Sequence, residues 1–250
     1  MAIFESFDGT EIFYSAEGDG SGVLLIHGSF TDSERNWVVR GIAARLQTGG
    51  HQVVMMDCRG HGRSAKPHDP AAYAGDAMAR DAQSLLDHLG LKAVHVVGYS
   101  MGSRVAARLA SLDERVRSLV LGGCGDADAG GAMAAGVAGI LEAEEPDELD
   151  PTARMMLAQL DSFGADRLAM AALCRAYSLG EERLQVSGIR VPTLFLSGLD
   201  DHIPGEVEPL VDALPGSRWA RIPGDHYTAP DDPGFLSAIV EFVDGVDAAS

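Results

Sequence analysis

Ala93-Val94-His95-Val96-Val97-Gly98-Tyr99-Ser100-Met101-Gly102 is the stretch on which the fold turns. Its first half is an apolar run of β-branched residues, predicting a strand over Ala93–Val97; the residues from about Ser100 to Leu112 carry a helix pattern. Between them lies Gly-x-Ser-x-Gly. A strand-to-helix turn this tight forces its central residue into strained backbone angles, and side chains beside it would clash, so glycine is wanted two residues before and two after. What the strain yields is a serine hydroxyl at the carboxyl edge of a sheet, above a helix N-terminus that favours developing negative charge. Ser100 is therefore the candidate nucleophile.

Outward from that turn the chain alternates strands and helices. Upstream, Ile3–Phe7 and Glu11–Ser15 flank the turn Asp8-Gly9-Thr10 and read as a hairpin. Val23–Ile26 is continuously apolar, as a strand buried on both faces requires. A helix near Asn36–Gln47, a strand over Gln52–Met56 and a long helix from about Tyr73 to Leu89, stopped by Gly90, lead to the turn. Downstream come strands over Arg117–Leu121, Thr193–Leu196 and Arg218–Ile222, with helices near Glu206–Leu214 and Phe235–Val243. The expectation is an α/β protein with a mostly parallel eight-stranded sheet flanked by helices. Only 126–188 breaks the rhythm, being rich in Ala, Met and Leu without a strand pattern. Its acidic cluster (Glu142, Glu144, Glu145, Asp147, Glu148, Asp150) reads as a solvated face. The division expected is a core domain of 1–125 with 189–250, and a helical cap insertion of 126–188.

Composition excludes several classes. The 250 residues hold 19 basic and 37 acidic side chains, a net charge of −18, which opposes nucleic acid and anionic membranes as partners. Hydrophobic residues at 46% are ordinary for a globular chain. The longest apolar-biased uncharged stretch, Ala129–Leu141, falls short of the roughly 20 residues of a membrane span. Acidic Glu5 and Asp8 stand where a signal peptide would be basic and apolar. Cys58, Cys124 and Cys174 are odd in number and widely spaced, which suits a reducing compartment, so a soluble cytoplasmic protein is expected. No Cys or His cluster has metal-ligand spacing. Gly60-His61-Gly62-Arg63-Ser64-Ala65 fits a dinucleotide fingerprint, but Pro67 and Pro70 follow it with a loop where a helix N-terminus would have to cradle the pyrophosphate. Neither a metal nor another cofactor is expected.

A serine nucleophile needs a base and an orienting acid, and in this architecture the order is Ser, acid, His. Asp200 and Asp201, just past the strand Thr193–Leu196, are the acid candidates. Of the eight histidines only His202 and His226 lie in the downstream third, and His202 is too near the acids to be their obvious partner. His226 is the candidate base. The loop His27-Gly28-Ser29-Phe30, directly after the strand Val23–Ile26, can aim a backbone N–H at the same point as the N–H of Met101. Two such donors make an oxyanion hole. His27 itself reads as a loop holder.

Taken together these motifs resemble the α/β-hydrolase superfamily, in its cap-bearing, esterase-like form, over nearly the whole chain. His27-Gly28 looks like the family's oxyanion loop, Asp57-Cys58-Arg59-Gly60-His61-Gly62-Arg63-Ser64 like its D-x-R-G-x-G-x-S loop, Gly98–Gly102 like its nucleophile turn, and Gly224-Asp225-His226 like its histidine loop. The family acid usually stands three residues after a glycine, here Gly198, which favours Asp201 over Asp200. It sometimes follows the preceding strand instead, where this chain has Asp126. Tyr99 and Ser103 depart from the common pattern but leave its glycines intact. Serine at the nucleophile position disfavours the branches that form an ester on a carboxylate. The resemblance implies a serine hydrolase of a small-molecule carboxylic ester or lactone, with Ser100, His226 and Asp201 as triad and the N–H groups of Ser29 and Met101 as oxyanion donors. Carbon–carbon bond hydrolysis, thioester hydrolysis and perhydrolysis can run on the same machinery. A low-turnover ligand receptor or signalling protein is the alternative from another class. The apolar composition of 126–188 predicts a neutral short or medium acyl group.

Overall fold

The computed structural model describes the chain except residues 146, 147, 149, 180–182 and 250, so Asp147 of the acidic cluster lies outside the described residues. Eight strands form one sheet: β1 (Ala2–Glu5), β2 (Glu11–Glu17), β3 (Gly22–Ile26), β4 (Gln52–Met56), β5 (Val94–Tyr99), β6 (Val116–Gly122), β7 (Thr193–Gly198) and β8 (Arg218–Ile222). Their spatial order is β1-β2-β4-β3-β5-β6-β7-β8. From β4 to β8 all neighbours are parallel; β2 runs against both of its neighbours.

The continuous apolar runs are explained by two-sided burial. Side chains alternate across a strand. Leu24 and Ile26 of β3 join one core cluster, together with Leu85, Leu86, Ala106 and Leu109 from helices α2 (Ala77–Leu89) and α3 (Met101–Leu112). Val23 and Leu25 join the other, with Leu46 of α1 (Ile42–Thr48) and Ile239, Phe242 and Val243 of the last helix, α8 (Pro233–Ala248).

The chain turns back on itself between β3 and β5. After β3 it crosses to β4 on one side, and it then returns to place β5 on the other. At such a switch point the loops past the carboxyl ends diverge and leave a crevice. The register Ile26–Gly98 sets the loop after β3 beside the turn after β5, and Gly198–Ile222 sets the loops after β7 and β8 together.

Helices α4 (Gly131–Leu141), α5 (Pro151–Ser162) and α6 (Arg167–Ser178) occupy the chain between β6 and β7; a short α7 (Glu208–Ala213) follows β7. Leu141, Leu157, Leu160, Met170 and Cys174 of α4–α6 form a small core of their own, with Phe30 of the β3 loop packed against it. Two members of the acidic cluster have structural tasks: Asp150 caps α5 by accepting from Thr152 and Ala153 N–H, and Glu142 accepts from Arg175. Glu144, Glu145 and Glu148 are exposed, as a solvated face would be.

Two helix expectations need correction. The helix read over Asn36–Gln47 is a single wide turn at Glu34–Val38, then a break at Gly41 (φ 74°), then α1. The helix read from Tyr73 begins at Ala77, because Gly75 (φ 60°) separates it from a short turn at Pro70–Tyr73. Left-handed glycines ended both runs where apolar spacing alone continued them. Among the described residues, no helix is long and apolar enough to cross a membrane.

Candidate active site

The turn after β5 carries the strain its sequence implies. Ser100 has φ 52°, and among the described residues only it and Phe30 are non-glycine with positive φ. A Cβ on Gly98 would drive into the Gly102 carbonyl, and one on Gly102 into the carbonyls of Ile26 and His27. Gly98 is thus required by the tight turn of β5 into α3, and Gly102 by the close approach of α3 to the end of β3. Ser103 stands where a further glycine is common, and its buried hydroxyl lies 3.0 Å from Gly98 O and 2.8 Å from Gly122 O, the latter also accepting from Ser100 N–H at 2.8 Å. Ser100 occupies the N-cap position of α3 without using its hydroxyl as a cap.

That hydroxyl instead faces His226. Ser100 Oγ is 3.0 Å from His226 Nε2, and His226 Nδ1 is 2.8 Å from Asp201 Oδ2. A ring N–H directed at the carboxylate leaves Nε2 as the acceptor for the serine proton. The Asp201 side chain is fully buried, its other oxygen accepting from Ile203 N–H at 3.2 Å. The histidine backbone is fixed in turn, because the Tyr99 hydroxyl donates to the His226 carbonyl at 2.6 Å. Burial pushes the Tyr99 phenol above its ordinary range, which keeps it a neutral donor.

Three other titratable candidates lie elsewhere. Asp200 and His202 are exposed. Asp126 accepts from Glu206 N–H at 2.9 Å and so ties the loop after β6 to the loop after β7.

The loop after β3 is held from beneath. His27 Nδ1 donates to the Gly28 carbonyl (2.7 Å), and Nε2 accepts from Cys58 N–H (2.9 Å). This pattern fixes one neutral tautomer, and complete burial holds the imidazole below its ordinary pKa. Gly28 N–H donates to Asn36 Oδ1 at 3.0 Å. Ser29 and Met101, the expected oxyanion donors, both line a cavity with Ser100.

Two cavities, of about 290 and 470 Å3, meet at Ser100. They share Ser29, Phe30, Ser100, Val137, His226 and Tyr227. The smaller is walled by Cys124, Met133, Ala134, Cys174 and Ile203. Burial raises the thiols of Cys124 to about 12 and Cys174 to about 11, so both serve there as neutral apolar wall. The larger runs past Met156, Leu160 and Phe163 of the α5 segment to Arg35 and Arg40.

Several of these residues carry no mark in the sequence. Asn36 and Arg40 fall within the stretch whose spacing predicts a helix over Asn36–Gln47, and Tyr227 follows His226 without a motif of its own. The signal the sequence offers for Asn36 is a polar amide beside the large apolar Trp37, a few residues past the His-Gly loop.

The family model for the alpha/beta hydrolase fold matches residues 22–167. The chain belongs to the alpha/beta hydrolase fold family. Within it, a non-heme haloperoxidase of Rhodococcus erythropolis is 39% identical over 111 residues, which cover 43% of this chain and 38% of that protein. The chain thus spans about two fifths of that relative's length. Among solved structures, an enol-lactonase from Burkholderia xenovorans LB400 superposes with a TM-score of 0.81 at 21% identity, covering 97% of this chain and all of its own. A thermophilic esterase from Thermogutta terrifontis superposes with a TM-score of 0.77 at 25% identity, covering 98% of each chain. This alpha/beta hydrolase fold protein is thus similar over nearly its full length to esterase and lactonase structures, and over less than half of it to a haloperoxidase.

Proposed function

We propose that this chain is a serine hydrolase that cleaves a carboxylic ester or lactone through an acyl-enzyme. The observation carrying the reading is the unbroken relay Ser100–His226–Asp201, at 3.0 and 2.8 Å, opening where two cavities join. Ser100 Oγ attacks the acyl carbon while His226 Nε2 takes its proton. The negative charge gathering on the carbonyl oxygen is met by the N–H groups of Ser29 and Met101, the latter also the start of α3. His226 returns the proton to the leaving alkoxide, then activates water against the acyl-enzyme. Asp201 orients the ring and stabilises its cationic form.

In this reading residues 126–188 are a cap that walls both cavities, and 1–125 with 189–250 are the catalytic core. The three buried free thiols suit a reducing compartment, and we place the protein in the cytoplasm. The likeness to a haloperoxidase favours one second reading, in which hydrogen peroxide replaces water against the acyl-enzyme and a peracid leaves.

A fluorophosphonate probe tests the assignment: it should label Ser100, and Ser100→Ala should stay folded while losing roughly 1,000-fold or more in kcat on p-nitrophenyl butyrate. Labelling at another serine, or near-normal turnover in the variant, would overturn it. Adding peroxide to wild type and titrating peracid decides the second reading.

A further inference from the structure

The larger cavity differs from the smaller in its chemistry. Arg35 and Arg40 both line it, whereas Arg104 is the one arginine on the smaller, and neither lining holds a carboxylate among the described residues. In a chain of net charge −18 such a wall is unexpected. Arg35 is paired to Asp32, and its guanidinium lies 4.6 Å from the centroid of the Phe163 ring. Arg40 is held at the centre of the machinery, its Nη2 donating to the carbonyl of Tyr227 at 3.3 Å, one residue past His226. Its Nη1 is buried and makes no hydrogen bond. Asp231 Oδ1 forms an ion pair with Nη1 at 3.1 Å, through a carboxylate that is 60% exposed.

A guanidinium has five N–H donors in a planar fork that fits the two oxygens of a carboxylate, and the contacts of Arg35 and Arg40 leave some of them over. The two cavities therefore offer a substrate different environments on either side of Ser100. The smaller is mostly apolar, walled by thiols and aliphatic side chains, with Arg104 on its lining donating to the Ala127 carbonyl at 3.4 Å. The larger carries two guanidinium groups, each with more N–H donors than the contacts above use.

We propose that the substrate carries a carboxylate that docks on Arg40 in the larger cavity, with Arg35 adding charge, while its apolar arm fills the smaller one. This rests on the reading of Ser100 as nucleophile, and it replaces the neutral substrate expected from the composition of 126–188. The arginines that decide it come from the loop region before α1, outside that segment. A general repulsion of anions by the net charge is screened over roughly 10 Å in ordinary salt, whereas a guanidinium in the cavity acts at contact.

The test uses isosteric ester pairs on the full chain. Monomethyl glutarate is compared with methyl glutaramate, which places the charge on the acyl side, and 3-carboxyphenyl butyrate with 3-carbamoylphenyl butyrate, which places it on the alcohol side. In at least one pair the carboxylate member should have a KM lower by about tenfold or more, the range of a charge-assisted hydrogen bond. Arg40→Gln should bring that ratio toward one, and Arg40→Lys should restore part of it. Equal KM within both pairs, or a ratio that survives Arg40→Gln, overturns the proposal. Each ratio is internal to one protein, so a general loss of activity does not imitate the result. Calorimetry of glutarate against glutaramide decides the same point without turnover: tighter glutarate binding supports the subsite, and equal binding removes it. If neutral esters are hydrolysed but neither test favours the carboxylate, this inference fails and the hydrolase reading stands. If no ester is hydrolysed while glutarate still binds selectively, the hydrolase reading fails and the anion subsite stands.

Discussion

Asp200 and Asp201 are chemically identical neighbours with opposite surroundings. The Asp201 side chain is fully buried against His226, while Asp200 faces solvent with its N–H spent on the Gly224 carbonyl at 3.0 Å. Adjacent residues of a turn project in different directions, so only one can orient the imidazole. Removing the charge from that one leaves a ring that can settle in the wrong tautomer. Asp201→Asn should lower kcat on p-nitrophenyl butyrate by roughly 1,000-fold or more, and Asp200→Asn by less than about threefold. Steady-state kinetics of the two variants check this; the reverse order would move the acid by one residue. The choice between these carboxylates was legible in the chain only through the spacing from Gly198, a family regularity. Its physical reason is steric: a Cβ at Gly198 would meet the Asp225 carbonyl at 3.2 Å and Asp201 Cβ at 3.0 Å, so the strand end must be glycine for the two loops to close on each other.

Among elements, the loop after β4 has the most demanding electrostatics. Arg59 is fully buried and forks onto Asp81 of α2, with N–O distances of 2.7 and 2.6 Å. Ser6 also donates to Asp81 at 2.5 Å, so the end of β1, the β4 loop and α2 meet at one carboxylate. Breaking a buried pair strands its survivor, at a cost of about 3–5 kcal/mol, whereas replacing both partners with apolar groups removes the charge as well. Arg59→Met should therefore destabilise the chain by about that amount, and Arg59→Met with Asp81→Leu by clearly less. Urea unfolding of the three proteins measures this; additive losses would mean the pair is not the unit holding α2. This contact was not legible in sequence, since Asp81 lies among Arg80, Gln83 and Ser84 as a surface residue would, and its partner is reached only once the sheet has formed. The strands were legible for the opposite reason. Val23–Ile26 and Val94–Val97 are apolar at every position but His95, and that buried exception is served by Ser118 and by Asp247 of α8. The site divides in the same way: Ser100 is announced by local turn chemistry, whereas Arg40 gains its meaning from Tyr227, far away in sequence, and Asn36 from the Gly28 N–H that folding brings to its amide.

At the scale of the whole molecule, three buried histidines contribute to the response to mild acid, above the range where the carboxylates titrate. His27, His61 and His95 are all held below the ordinary imidazole range, in each case chiefly by burial. His61 is the extreme: burial and the neighbouring His27 bring it from 6.5 to about 3. Its Nδ1 donates to the Arg59 carbonyl at 3.0 Å, which leaves a bare, buried Nε2 beneath the β3 loop. Between pH 6.5 and 3 the unfolded chain binds a proton at this residue and the folded chain does not. The unfolded state then holds more protons, so stability rises with pH across that window and is lost as pH falls from 6.5 toward 3. Above it the residue contributes no slope. One such group costs about 2 kcal/mol by pH ~5, a substantial part of a typical folding free energy of about 5–15 kcal/mol. Denaturant unfolding should therefore give a nearly level stability from about pH 8 to 7 and a decline toward pH ~5 steeper than one proton's worth, since His27 and His95 add to it. His61→Gln should reduce that slope by close to one proton whatever it does to stability at neutral pH. A slope unchanged in the variant would show that His61 is protonated in the folded chain, and the neutral tautomer assigned beneath the β3 loop would have to be abandoned.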